Sequence, residues 1–556
     1  MVSNIGRLFD KKRNGFTLVE LLAVIVILAI VLIIAVPGVL GIINKTKNNA
    51  YESQLKIIKE AAKNYIMEAR DVVVWKENQT VVSLTEIQNR GLLEKKILDP
   101  RDKSELKHLA VVITKKENLM DYDIVYTDPS DANYPRLSNN MIPIVYKEDK
   151  WVKADLTNEN QSWFDYSKQQ WANIATVTED VRQTLLDAPV GSEIPMEKIN
   201  TMFTWIPRYR YKLWNVDGTL LPTSNSNLRS DYEIDVQFET VETTKSMGTQ
   251  NGQWLTHPAF TLGNQEVSGL WVSKYVVGYN QGTDLGTYTQ ANARNDELDA
   301  SKIIVKPNVY SWTDSRLYTV FYNARNMKNP GNVFGFSEEA DTHLLKNNEW
   351  GAIGYLTYSK YGKAGNSAYS GSGKEVAINS MNTSVTGCGT AIFTGVCESY
   401  ETKNGQAAST TGNITGIYDM VGNVWEYVAS IMLQPDNMHA EVTATMFSQE
   451  ELDALIAEGK YMEAITYSSD WQIMSQPTLG DGLYEMRPVT LVNDDTGVPS
   501  YQFSSWYNDY AVYPALQHSV LVRGGFYGNA KVAGMFASLH SKGNTGYSTG
   551  YRVAIV

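Results

Sequence analysis

Few side chains in this sequence are spaced for catalysis. The six histidines stand singly at positions 108, 257, 343, 439, 518 and 540, and no HExxH pair puts two of them on one helical face. Ser370-Gly-Ser-Gly-Lys374 lacks the leading glycine and the hydroxyl residue after lysine that a phosphate loop needs, so a surface loop accounts for it better. Asp494-Asp495 reads as a solvated turn. The two cysteines, Cys388 and Cys397, fit no zinc spacing. In an oxidising compartment they would close a small disulfide loop, and in a reducing one they would stay a free pair. The carboxylate under the strongest physical demand is Glu20, at the edge of an apolar run where an unpaired charge is costly.

That run, Leu21 to Ile43, has 23 residues and no charge. It is long enough to cross a bilayer as a helix. Arg7, Lys11, Lys12 and Arg13 precede it and hold that end on the cytoplasmic side, which puts the bulk of the chain outside. A secretory signal would place its small-residue cleavage site after the apolar run. Here the break signal, Gly15-Phe16, comes before it. Cleavage there would expose a new α-amino group close to Glu20. Pro37 and Gly38 fall inside the helix and bend it. Beyond them Tyr51, Leu55, Ile58, Ala62, Tyr65, Ile66 and Ala69 recur at helical spacing, which predicts an amphipathic half packed on a globular head. A helix over residues 16–70 would be on the order of 80 Å long at about 1.5 Å per residue.

Gly-Phe-Thr-Leu-Val-Glu at residues 15–20 resembles the N-terminus of type IV pilins and pseudopilins. The resemblance covers Met1 to about Arg70. It implies that prepilin peptidase cuts between Gly15 and Phe16 and methylates the new N-terminus. It also implies that Glu20 pairs with the N-terminus of a neighbouring subunit during assembly. The partners so implied are the peptidase, other pilin subunits through the N-terminal helix, and the membrane before assembly. The location implied is the bacterial cytoplasmic membrane, then a surface or extracellular filament. A plain signal anchor is the other reading of this stretch.

Residues 71–126 mix β-like runs (Val72–Trp75, Leu109–Ile113, Tyr122–Tyr126) with a helix that Ser83-Leu-Thr85 starts and Gly91 stops. Asp128 to Pro135 is a turn-rich break. Residues 141–175 alternate apolar and polar positions around Trp151, Trp163, Tyr166 and Trp171, and predict a β-ribbon or spacer.

From about Ile194 onward the pattern is many short strands and long loops. Six segments recur in order: Trp205-Ile-Pro-Arg-Tyr209, Gly269 to Tyr275, Leu345 to Trp350, Tyr418 to Tyr427, Val522 to Phe526 and Gly550 to Val553. As a set they resemble the formylglycine-generating-enzyme (sulfatase-modifying factor) domain, a variant of the C-type lectin fold. The expected fold class is therefore α+β. The expected divisions are a leader at 1–15, a transmembrane and assembly helix at 16–70, a pilin-like head at 71–130, a linker or β-ribbon at 131–193, and the lectin-like domain at 194–556.

In GNVWE the glycine permits close approach or positive φ, Trp425 anchors the core, and Glu426 can close a polar contact or a metal site. The resemblance assigns Gly422, Val424 and Glu426 to calcium, so a structural calcium is the cofactor it allows; none is required. Val522-Arg-Gly-Gly reads as a strand entering a tight turn, with Arg523 placed to clamp a carboxylate. The enzyme's catalytic cysteines lie between the two last segments, and here that interval holds none. Without a thiol, copper-dependent oxygen chemistry has no ligand, so no catalytic residue is assigned and the expectation is a non-enzyme.

The same interval offers Phe526, Tyr527, Asn529, Lys531, Phe536, Ser538, His540, Asn544 and Tyr547. Its location and polar-aromatic mix resemble the ligand surface of the lectin-like variable proteins of diversity-generating retroelements; a fixed lectin-like fold with polar last strands is the competing account. Either way it is the predicted site for an unknown extracellular protein or glycan. Further on the surface, Phe447-Ser448-Gln-Glu-Glu451-Leu452 fits a capping box with a hydrophobic staple and predicts a helix from Ser448 to about Glu463.

Composition limits the remaining classes. The chain has 556 residues with 43% hydrophobic and 20% charged, too apolar for global disorder and enough for about two to four domains. A net charge of −12 argues against nucleic-acid partners. The 33 Tyr and 13 Trp suit both core packing and binding surfaces. The leading functional expectation is a lectin-like domain displayed on, or at the tip of, a type IV pilus-like filament. The alternative is a structural minor pseudopilin of a secretion system. Mass spectrometry of protein from its native cells is expected to find a mature chain starting at Phe16 and N-methylated; a chain starting at Met1 would leave only a signal-anchored membrane protein.

Overall fold

The computed structural model describes residues 46–68, 79–126 and 134–556, except 48, 52, 99, 101–105, 107–108, 117–118, 139, 157–162, 214–232, 240–253, 283–288, 339, 366–383, 390–397, 434–444, 467–478, 484, 486–488, 494–498, 505–508 and 513–517. Gly15, Phe16, Glu20, the apolar span, the Val72–Trp75 run, the Ser370–Lys374 loop, Asp494-Asp495, Cys397, His108 and His439 lie outside these residues. No helix among the described residues is long and apolar enough to cross a membrane. The chain forms two compact units, Met1–Pro129 and Ser130–Val556. The break falls in the turn-rich stretch read from the sequence.

The first unit packs a helix on a small antiparallel sheet. Residues 53–68 are helical, and Ile58, Ala62, Tyr65 and Ile66 are buried from it, as their spacing requires. Strands Gln79–Ser83, Leu109–Lys116 and Leu119–Tyr126 lie side by side in that order. Val82, Val111 and Ile113 face the helix side and share its core, together with Leu84 and Ile87 of the helix Leu84–Asn89. Gly91, at φ +70°, stands just past that helix, in the role expected of it.

The second unit is a mixed α+β body of many short strands, as expected. Its first large sheet has seven antiparallel strands in the order Thr342–Leu344, Val553–Ile555, Gly269–Ser273, Ile199–Pro207, Asn173–Val177, Ile142–Lys147 and Lys150–Lys153. Of the linker or β-ribbon read at 131–193, it is strands that form, and three of them belong to the same sheet as Trp205 and Trp271. Alternation in them marks a strand with one face on a core, and Trp151, Trp163 and Trp171 are buried there rather than displayed. The outer strand does not end in open hydrogen-bonding groups. Lys153 donates its N–H to the Ser192 carbonyl at 2.8 Å and Ile194 donates to Trp151 at 2.8 Å, which closes the edge.

The second large sheet is centred on the long buried strand Trp425–Leu433. Val520–Arg523 runs antiparallel on one side of it, and Glu463–Thr466 and Thr549–Tyr551 pair with it in parallel. The two sheets share their last connection. Thr549–Tyr551 belongs to the second sheet and Val553–Ile555 to the first, with Arg552 alone between them. All six segments picked out in the sequence meet around this junction.

Two helices are locally readable. Asn347–Thr357 packs so closely that a Cβ on Gly351 would lie 1.8 Å from the Gly480 carbonyl oxygen, so only glycine fits. Gln449–Glu458 has the expected capping box, with Ser448 accepting from the Glu451 N–H at 3.1 Å and Glu451 accepting from the Ser448 N–H at 2.9 Å. Phe447 and Leu452 are both buried. The helix stops earlier than predicted: Gly459 turns left-handed at φ +63°, and Glu463 opens a strand instead.

Several acids are buried beside these helices. Glu485 accepts from the Tyr211 hydroxyl at 2.6 Å, from the Tyr355 hydroxyl, and from the Gly480 N–H at 2.9 Å. Glu463 accepts from the Asn348 N–H at 3.2 Å. Burial pushes both carboxyls up from 4.5 to about 7. A raised acid favours the folded state in its protonated form. That contribution is complete below pH 4.5 and is lost as the pH rises through about 7. The thermal transition of the second unit is expected to fall between about pH 5 and about pH 8, and Glu463→Gln to shrink the drop, as followed by calorimetry.

Candidate ligand-binding face

Two tight turns build the base of the face. Strand Val520–Arg523 ends in Gly524 and Gly525, at φ +87° and +81°, a path open to glycine. The Gly422 N–H donates to Gly524 at 3.2 Å, and the Tyr527 N–H donates to Asn423 at 3.1 Å. The RGG and GNVWE motifs are thus one structure, each turn holding the other.

The side chains of these motifs are mostly structural. Arg523 is buried and donates to the Asn347 amide oxygen at 2.6 Å and to the Asp481 carbonyl at 3.1 Å, over the Trp350 ring. Glu426 is buried against Arg552, with Nε at 3.0 Å from one oxygen and 2.8 Å from the other. Burial pushes its carboxyl up to about 7 despite the guanidinium beside it. A cation at Gly422, Val424 and Glu426 would have to share that carboxylate with Arg552. Among the described residues no cluster of three or more His, Cys, Asp or Glu side chains could hold a metal. Cys388 is buried and disulfide-bonded.

The histidines that are described serve packing. His257 lies among Tyr209, Tyr211, Phe260 and Tyr355, and burial pushes its ring down to about 3. His343 meets Glu349 at 3.0 Å.

The nine predicted ligand residues do not share one environment. Phe536, Ser538 and His540 are buried, which corrects their assignment to the surface. Phe536 stacks on Tyr358, Ser538 exchanges hydrogen bonds with the Val512 backbone, and His540 meets His518 through the Nδ1 atoms at 2.9 Å. Ser538 and His540 face inward from the strand Ser538–Ser541, whose alternation admitted either side, and Phe536 is buried from the turn before it. Phe526, Tyr527 and Asn529 are half-buried, and the Asn529 side chain accepts from the Phe526 N–H at 2.8 Å. The Lys531 side chain lies outside the described residues. Asn544 and Tyr547 are exposed, Tyr547 at 60%.

The loop that presents Asn544 and Tyr547 is fastened at several points. Leu317 donates to Gly543 at 3.0 Å, Asp314 to Gly546 at 3.1 Å, and Trp425 to Ser548 at 2.8 Å. The Tyr427 hydroxyl donates to the Asn544 carbonyl at 2.6 Å. Arg294 lies over the Tyr547 ring at 5.7 Å. At the other end a Cβ on Gly543 would touch Thr445, whose neighbour Met446 is 49% exposed at φ +73°. Arg316 joins Met446 to Asp296. Sequence reasoning missed Arg294 and Met446, since both come from distant segments and neither lies in a motif. The result is a fastened loop surface that exposes Tyr547, Met446, Asn544 and Arg294.

Residues 10–36 match the profile described as the prokaryotic N-terminal methylation motif. No curated protein matches the chain. Among solved structures, the chain is similar to the Major Tropism Determinant I1 variant, at 10% identity and a TM-score of 0.24, and to the M1 variant, at 11% and 0.24. In each case 80% of this chain and 80% of the other are covered. Arg552→Leu is expected to cost about 3–5 kcal/mol in denaturant unfolding, because it strands the Glu426 carboxylate, whereas Tyr547→Ala should stay within about 0.5 kcal/mol of the parent.

Proposed function

We propose that the chain is a non-catalytic recognition protein of a type IV pilus-like filament. Its N-terminal segment is processed and assembled as a pilin. Its second unit, read as a C-type-lectin-like domain of the formylglycine-generating-enzyme type, presents the Asn544–Tyr547 face to an extracellular ligand. The observation that supports this most is the methylation motif at residues 10–36 in the same chain as a large body with a fastened, exposed, aromatic loop. The absence of cysteine between Phe526 and Thr549 supports a binding role over formylglycine chemistry. The membrane before assembly and the cell surface or filament after it are the locations that follow.

Deletion of residues 130–556 is expected to leave filaments visible by electron microscopy but unable to attach to the surfaces their cells colonise. Loss of the filaments themselves would favour the structural pseudopilin. In the full chain, Tyr547→Ala with Arg294→Ala is expected to weaken attachment by about tenfold or more at unchanged filament number.

A further inference from the structure

A second exposed face of the same unit has chemistry that the loop at Asn544–Tyr547 does not use. Leu255–Thr256, Tyr209–Lys212 and Asp235–Phe238 form a small antiparallel sheet in that order. Strand alternation sends Tyr209 and Tyr211 into the core and Arg210 and Lys212 outward. Leu255 is opposite Tyr211 in register, so Trp254 follows beside Lys212. The Arg210 guanidinium lies 5.2 Å from the centre of the Trp254 ring and the Lys212 ammonium 5.7 Å. Gln237, opposite Arg210, accepts from its Nε at 3.0 Å and Nη2 at 2.6 Å.

The charge balance makes this face unusual. Acids outnumber bases in the chain, for a net −12. Yet Arg210 directs its fork at a neutral amide, and among the described residues neither Arg210 nor Lys212 forms an ion pair with a carboxylate. Asp235, opposite Lys212 in register, is the acid of this face. Two cations therefore converge on one half-exposed indole, and among the described residues neither is in an ion pair of the kind that usually absorbs surface lysine and arginine.

We propose that this face is a binding site for an acidic oligosaccharide, with a carboxylate or sulfate held between Arg210 and Lys212 and a sugar ring lying against Trp254. An indole offers a flat apolar surface for the C–H face of a pyranose. The guanidinium and ammonium beside it supply charge-assisted hydrogen bonds to an oxyanion. The Gln237 amide retains a donor for a ring hydroxyl. An acidic peptide shares the charge but has no rigid ring to match the indole.

The test is isothermal titration of the full chain with an oligogalacturonate, a neutral cello-oligosaccharide of equal length and poly-glutamate. The oligogalacturonate is expected to bind at least about tenfold more tightly than either other probe, and more weakly as salt rises. Trp254→Ala and Lys212→Gln are each expected to weaken it about tenfold or more, and Tyr547→Ala to leave it unchanged, which separates this site from the proposed ligand face. Should Trp254→Ala disturb folding, Lys212→Gln on the outward face decides, with the melting temperature as control. Equal binding of the neutral saccharide, tighter binding of poly-glutamate, no binding at all, or full affinity in Lys212→Gln overturns the proposal.

Discussion

The fully buried pair of Arg552 and Glu426 is the contact on which the second unit turns. Arg552 is the single residue between the last strands of two sheets. Its guanidinium reaches Glu426 in the second sheet and donates to the Ser273 carbonyl at 2.9 Å in the first and to the Tyr418 carbonyl at 2.5 Å. Neither charge sees water, so the pair is worth little as raw stability compared with an apolar substitute. Its value lies in specification. A carboxylate, two carbonyls and a guanidinium are brought together in one relative placement of the sheets, and any slip leaves a buried charge exposed to hydrocarbon.

A second cation reinforces the same junction by a different route. Lys274 follows the strand Gly269–Ser273 and is fully buried. It donates to the carbonyls of Ile414 at 2.8 Å and Gly416 at 2.6 Å, between the rings of Trp151 and Tyr418. Burial draws its pKa well below the usual lysine range. The sheet junction is thus polar at its centre and aromatic around it, which explains why so many Trp and Tyr residues serve the interior rather than the surface.

What could be read in advance depended on how local the cause was. The helix that buries Ile58, Ala62 and Tyr65 follows from 3.6-residue spacing, and the cap at Ser448 from two side chains three residues apart. The ordered motifs located the junction, because each combines a strand with a turn that tolerates little else. Long-range pairing was not legible. The hairpin Ile142–Lys153 read as a β-ribbon or spacer because Asn173–Val177, which pairs with it, and Ile199–Pro207, which pairs with that strand, come later in the chain. The inward turn of Ser538 and His540 depends on a register that period-two alternation leaves open. Arg294 reaches Tyr547 only through the bridge between Arg294 and Thr313, a contact no sequence window contains.

The position of the strand Val553–Ile555 has a consequence for cooperativity. It lies inside the first sheet, with Gly269–Ser273 on one side and Thr342–Leu344 on the other. Without it the sheet has a gap in its interior, and without the adjoining Arg552 the Glu426 carboxylate has no guanidinium to face. Docking of this one short segment therefore closes one sheet and neutralises the centre of the other in a single event.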